Sequence, residues 1–145
     1  MSGFDAAVRK FTGKALDRVR KTRNGFVENL FQAVVDETPV DTGALRANWQ
    51  AASGRPPAGE TGPRGEGAVK TEIASVAASL GDHDGEVLLV NNSPYARAVE
   101  YGSFAAGRAP AGMVRGALAE APGLLNRAAG KVKSSHGYAL DSTIF

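Results

Sequence analysis

At 145 residues, with 43% apolar and 22% charged positions, the chain has the make-up of one folded domain with a modest core. It has no cysteine and only His83 and His136, which excludes a disulfide framework and thiol catalysis and leaves little for a transition-metal site. The net charge of +2 is unevenly placed: Arg9, Lys10, Lys14, Arg18, Arg20, Lys21 and Arg23 face only Asp17 in the same stretch, a run that suits a solvated helix face, an acidic partner or nucleic-acid phosphates. No apolar stretch approaches the ~20 residues that cross a bilayer, and the charged start carries no apolar leader, so synthesis in a cytoplasm with no membrane contact is expected.

In chain order, Phe4, Val8, Phe11, Ala15, Val19, Thr22, Phe26 and Leu30 recur at steps of three and four, the spacing that lines one face of a helix. Phe31, Val34 and Val35 widen the stripe, so the second half of this helix should be the better buried. Gly13 and Gly25 each weaken it by ~1 kcal/mol relative to alanine, and a bend or fray is expected near Asn24-Gly25. The helix must stop before Pro39, which disfavours α geometry in the residue ahead of it.

After Pro39-Val40-Asp41-Thr42-Gly43, a turn, Leu45, Ala47, Trp49 and Ala51 alternate with more polar neighbours and predict a half-buried strand over 44–51, with Trp49 as a core anchor. Residues 53–67, SGRPPAGETGPRGEG, are dominated by proline and glycine and predict a long flexible loop, a length that signals function or ordering by a partner. Val69, Ile73, Val76, Ala77 and Leu80 mark a helix ended by Gly81. Residues 86–91 predict a central strand, apolar on both faces. Pro94 to Tyr101 predicts a short helix turning Tyr95, Ala98, Val99 and Tyr101 inward. Pro110 suits the first turn of a last helix through Met113, Val114, Ala117 and Leu118, interrupted at Pro122-Gly123 before a final turn or two at Leu124-Leu125. The end, SSHGYALDSTIF, is a polar tail carrying Tyr138, Leu140, Ile144 and Phe145. The expected fold class is α+β: a long N-terminal helix and shorter helices packed on a small antiparallel sheet, in one domain over 1–133, with an extended arm over 134–145.

Asp41-Thr42-Gly43 is the triplet that aspartic proteases use, where two carboxylates share a proton. Here it follows a helix end and a proline instead of a buried strand. The competing reading is a tight turn in which Gly43 takes a positive φ. Asp82-His83-Asp84 lacks the further ligands of a metal site. The glycines of 53–67 lack the GK[ST] of a phosphate loop, and adjacency of Ser135 and His136 does not make a nucleophile and base. No cofactor is expected.

Three stretches carry a resemblance: TPVDTGALRANWQ after the long helix, NNSPYARAVEYGS after the second strand, and APAGMVRGAL at the start of the last helix. In this order and spacing the chain resembles the tail-completion (neck, or minor tail) proteins of long-tailed bacteriophages, over roughly residues 26–120. The resemblance implies a structural virion subunit at the neck. It would form a ring with itself, six copies by analogy, between a head-side connector or adaptor and the tail terminator or tail tube. Within it, Asp41, Thr42, Gly43, Asn91, Asn92 and Pro94 would be structural turns. Arg46 and Glu100 would pair within the subunit or across a ring seam. The loop residues Arg55, Pro56, Pro57 and Arg64, and the arm residues Tyr138, Leu140, Ile144 and Phe145, would join neighbours. Three alternatives stand beside this: a tail terminator capping the tube, a DNA-binding accessory protein using the basic helix, and the dimeric protease.

Overall fold

The computed structural model describes residues 2–81, 83–101 and 111–135, with side chains as far as residue 133. Its elements are helix α1 (Gly3–Glu37), the single turn α2 (Ala44–Ala47), strand β1 (Trp49–Ser53), helix α3 (Glu66–Ser79), strand β2 (Val87–Asn91), and helices α4 (Ala96–Glu100), α5 (Val114–Ala119) and α6 (Ala121–Ser135). The α+β class expected from the pattern is the one observed: helices packed on a two-stranded antiparallel sheet.

Ser2 starts α1 by accepting the Asp5 N–H on its hydroxyl at 3.2 Å, and Asp5 itself suits the positive end of the helix. The helix ends where Thr38 turns its hydroxyl back to the Val34 carbonyl at 2.8 Å, just ahead of Pro39. It runs without a break through Gly25. The expected fray is absent, and Gly25 is where α6 packs closely: a Cβ there would sit 3.5 Å from that of Ala128, so the glycine serves close helix packing. Gly116 beside Glu37 and Ala128 beside Gly25 show that the α5–α6 arm runs back antiparallel along α1, and Ala128 and Val132 line one cleft with Lys21 and Gln32.

The core forms around Ala33, Val34 and Val35 of α1, Trp49 and Ala51 of β1, Val69 and Ile73 of α3, and Met113, Ala117 and Leu124. Val35, Val69 and Ile73 are fully enclosed, each contributing roughly 1.5–3 kcal/mol of burial. As expected, the C-terminal half of α1 is the buried half. Phe4, Phe11 and Val19 remain exposed on the other.

Several expectations are corrected. The strand predicted over 44–51 begins only at Trp49. Gly43, at φ +85, tips the chain first into α2, and Asn48 closes that turn by donating its side-chain amide to the Ala44 carbonyl at 2.9 Å. Strand β2 is not central: among the described residues it pairs with β1 alone, in the register Trp49 to Asn91, Ala51 to Leu89 and Ser53 to Val87. Tyr95 and Tyr101 are 55% and 65% exposed, not core. The single turn of α4 has one inward position, and Val99 takes it. Pro122 does not interrupt a helix; the break falls at Glu120, and Pro122 occupies the first turn of a full-length α6, where its missing N–H costs nothing. Pro110 and the arm residues Tyr138, Leu140, Ile144 and Phe145 lie outside the described residues, as does Asp82.

Candidate functional site

Three polar brackets hold the chain together: one in the first motif segment, one in the second, and one joining the second to the third. In the first, Arg46 of α2 donates to Glu66 at the start of α3 (3.0 Å) and to the Thr38 carbonyl at the end of α1 (2.8 Å). Lys70 completes it, meeting Asp36 at 2.7 Å and Glu66 at 2.9 Å. Its hydrogen bonds hold the Glu66 carboxyl below its ordinary value, helped by Arg46. Thr42 accepts the Ala44 N–H on its hydroxyl at 3.2 Å, ahead of α2, while Asp41 stays exposed on the connection. Buried Trp49 donates its indole N–H to Thr38 at 2.7 Å.

The second bracket is at Asn91. Its amide donates to the Leu45 carbonyl at 2.8 Å and its oxygen accepts the Ser93 N–H at 3.0 Å, so one side chain ends β2 and ties it to α2. Asn92 donates to the carbonyls of Pro57 and Gly59 at 2.9 and 3.0 Å. Pro94 leads into α4.

The third bracket is Glu100. Its two oxygens accept the backbone N–H groups of Met113 (2.6 Å), Val114 (2.8 Å) and Arg115 (3.1 Å), and the Arg115 guanidinium at 3.2 Å. Arg115 also donates to the Glu100 carbonyl and lies over the Tyr101 ring at 5.0 Å. Burial pushes the Glu100 carboxyl up, but these donors outweigh it and hold it below the usual carboxylate range. Gly112, at φ +77, makes the approach possible; a Cβ there would stand 2.7 Å from a Glu100 oxygen. Arg46 and Glu100 therefore both find partners within the subunit.

The proline- and glycine-rich connection is anchored in the single chain rather than left loose. Thr61 donates its N–H to Asn48 and its hydroxyl to the Ala47 carbonyl, both at 2.8 Å. Arg64 turns inward, donating to Ala47 at 2.9 Å, to the Trp49 carbonyl, and to Glu72 at 2.6 Å. Glu72 in turn accepts the Ala51 N–H at 2.8 Å. Burial raises the Glu72 carboxyl, and Arg64 with the Ala51 N–H overcomes this and lowers it. Arg55 and Pro56 remain exposed, and Pro57 is half-buried. A shallow cleft of about 430 Å³ runs between this connection and α2, past Thr42, Ala44, Asn48 and Glu60.

Sequence reasoning missed Thr38, Asn48, Thr61, Glu72, Gly112 and Arg115. One signal was present for Glu72. It sits three and four residues from Val69 and Val76, on the apolar stripe of α3, where a carboxylate needs a partner.

Two apolar surfaces are open. One is the N-terminal half of α1. The other is a groove of about 190 Å³ between the sheet and the helices, walled by Phe31 and Val34 of α1, Trp49 of β1, Val87 and Leu89 of β2, and Val114 and Leu118 of α5. Of the basic run, Arg23 is drawn into the fold by Asp84 (3.0 Å) and the His83 carbonyl (2.8 Å), and Lys21 meets Asp17 at 3.0 Å. Arg9, Lys10 and Lys14 are exposed on α1. Among the described residues no group of His, Asp and Glu could hold a metal ion, and no helix is long and apolar enough to cross a membrane. No family model, no curated protein and no solved structure matches the chain.

Proposed function

We propose that this chain is a ring-forming neck subunit of a long-tailed phage, a tail-completion protein that joins the head connector to the tail by shape and needs no cofactor. The observation that carries the reading is the use made of the three motif segments. Arg46, Asn91 and Glu100 each lock two or three elements into one rigid frame, while apolar surface is left open on α1 and beside β2. A stiff frame with uncovered apolar faces suits a building block that is completed by neighbours.

The test is genetic removal of the protein from its phage, followed by particle microscopy. Heads and tails of normal length that fail to join are the expected outcome. Overlong tubes would assign the tail terminator role instead, because only a cap on the tube limits its growth. Joined, infectious particles that lack the protein would refute the proposal. A second reading, contact with DNA, is favoured by the exposed Arg9, Lys10 and Lys14. It predicts binding that weakens steeply with added salt, with the slope reduced in the triple alanine variant.

A further inference from the structure

Two apolar surfaces lie uncovered among the described residues, and the charges around them have opposite sign. On the N-terminal half of α1, Phe4, Val8, Phe11 and Val19 are exposed along one stripe. Arg9, Lys10 and Lys14, all exposed, lie within three positions of Phe11. On the helix surface Lys14 borders the stripe on one side and Arg9 on the other.

The second surface is the groove between Phe31, Val34, Val87, Leu89, Val114 and Leu118. Three exposed carboxylates stand close to these residues in the chain. Glu86 directly precedes Val87, Glu37 is one helical turn past Val34, and Glu120 follows Leu118 by two residues. Glu37 and Glu120 also act on each other: burial, then Glu120, then Asp36 raise the Glu37 carboxyl. The charges felt by Glu37 are thus acidic. Nearby cations are engaged by other carboxylates, Arg115 by Glu100 and Lys70 by Asp36 and Glu66.

The size of the groove limits what it accepts. A cavity of about 150 Å³ holds one benzene ring, so a groove of about 190 Å³ suits a single phenylalanine side chain and not a whole helix face. Of the two exposed phenylalanines, Phe11 is the one surrounded by cations, whereas Phe4 adjoins Asp5. A chain cannot place Phe11 in its own groove. Helix α1 is continuous, and Phe11 lies roughly 28 Å from Leu30, the first groove residue, at 1.5 Å per residue. Two helix tips do not suit each other either, because Arg9, Lys10 and Lys14 would be brought against the same cations.

We propose that Phe11 of one copy seats in the apolar groove of a second copy, with Arg9, Lys10 and Lys14 set against Glu37, Glu86 and Glu120. This rests on the neck-subunit reading and deepens it by naming the joint between subunits. Tip and groove are two different, complementary surfaces, the arrangement a head-to-tail ring requires.

The chain has no cysteine, so single substitutions can be mixed. Full-length Phe11→Cys and Leu118→Cys proteins are combined at high concentration in low salt and oxidised. Phe11 and Leu118 are 63% and 51% exposed, so neither change should lower the unfolding midpoint. The comparison is Phe11→Cys mixed with Ala58→Cys, an exposed site on the connection between β1 and α3. The first mixture should give about ten-fold or more of the mixed disulfide-linked dimer, because docking raises the effective concentration of the two thiols. One protein carrying both Phe11→Cys and Leu118→Cys should give a ladder of linked chains. Equal yields from the two mixtures overturn the proposal. So does self-linkage of either single variant that matches the mixed product, which would mean tip-to-tip or groove-to-groove pairing. As a second measurement, Arg9→Glu, Lys10→Glu and Lys14→Glu together in the Phe11→Cys protein should cut the mixed product by about ten-fold, since three modest pairings are reversed at once. An unaltered yield also overturns it. Either failure, with the protein present in mature particles, refutes only this inference, whereas absence of the wild-type protein from particles refutes the neck reading alone.

Discussion

Glu100 gathers three backbone N–H groups and a guanidinium onto one carboxylate, and the bracket depends on Gly112 having no side chain. Gly112→Ala meets both an unfavourable φ and a clash with Glu100, and is expected to destabilise the fold by about 2 kcal/mol or more, read as a lower urea midpoint. Glu100→Gln keeps the shape but loses charge-assisted bonds, at a cost of about 2 kcal/mol at neutral pH. The pH dependence has a definite sign. Glu100 and Glu72 are held below the ordinary carboxyl value in the folded chain. Their contribution is thus complete above the unfolded value, about 4.3, and is lost as pH falls through the lower folded values. The gap between wild type and Glu100→Gln should therefore close in urea titrations carried below about pH 4, and a constant gap would contradict the bracket. Glu37 has the opposite sign: burial and the charge of Glu120 raise it, so its protonation on acidification relieves strain instead of adding it.

Among the elements, α1 and the α5–α6 arm meet at Gly25 and Ala128 with ordinary contact room for one methyl group. Gly25→Ala should raise the melting temperature, adding about 0.5–1 kcal/mol of helix stability, while Gly25→Leu should lower it by wedging the helices apart. The connection between β1 and α3 hangs on Arg64. Arg64→Ala would leave Glu72 half-buried without its cation, at a cost of about 1–3 kcal/mol, and should open the segment around Arg55 to Glu60 to limited proteolysis. Period alone made α1 and α3 legible in the sequence, because each follows a single repeat along its length, and β2 was legible as a short continuous apolar run. The stretch 44–51 was misread because Leu45, Ala47 and Trp49 alternate like a strand, while Gly43 and Asn48 dictate a turn first. The turns at Thr42 and Asn91 were visible from residue type. The partners of Arg46, Glu100 and Arg64 were not: they come from elements 8 to 20 positions distant, and spacing along one element cannot reveal them.

In the whole molecule, the fold closes without the first half of α1. Phe4 and Phe11 are 76% and 63% exposed, so Phe4→Ser with Phe11→Ser should change unfolding stability by no more than about 0.5 kcal/mol. If these faces meet neighbours, the same double variant should fail to restore joined particles to a phage lacking the protein. A large drop in stability would instead place the two rings inside the fold.

The unbroken run of α1 gives the subunit a further property. Its 35 residues extend roughly 52 Å, longer than the ~35–40 Å breadth of a chain of this size. The helix is continuous from its start at Gly3 to the socket where Arg46 and Trp49 clamp its far end. Torque applied at the tip then reaches the sheet as rotation of the whole body, making the helix a lever whose angle sets how the apolar groove is presented.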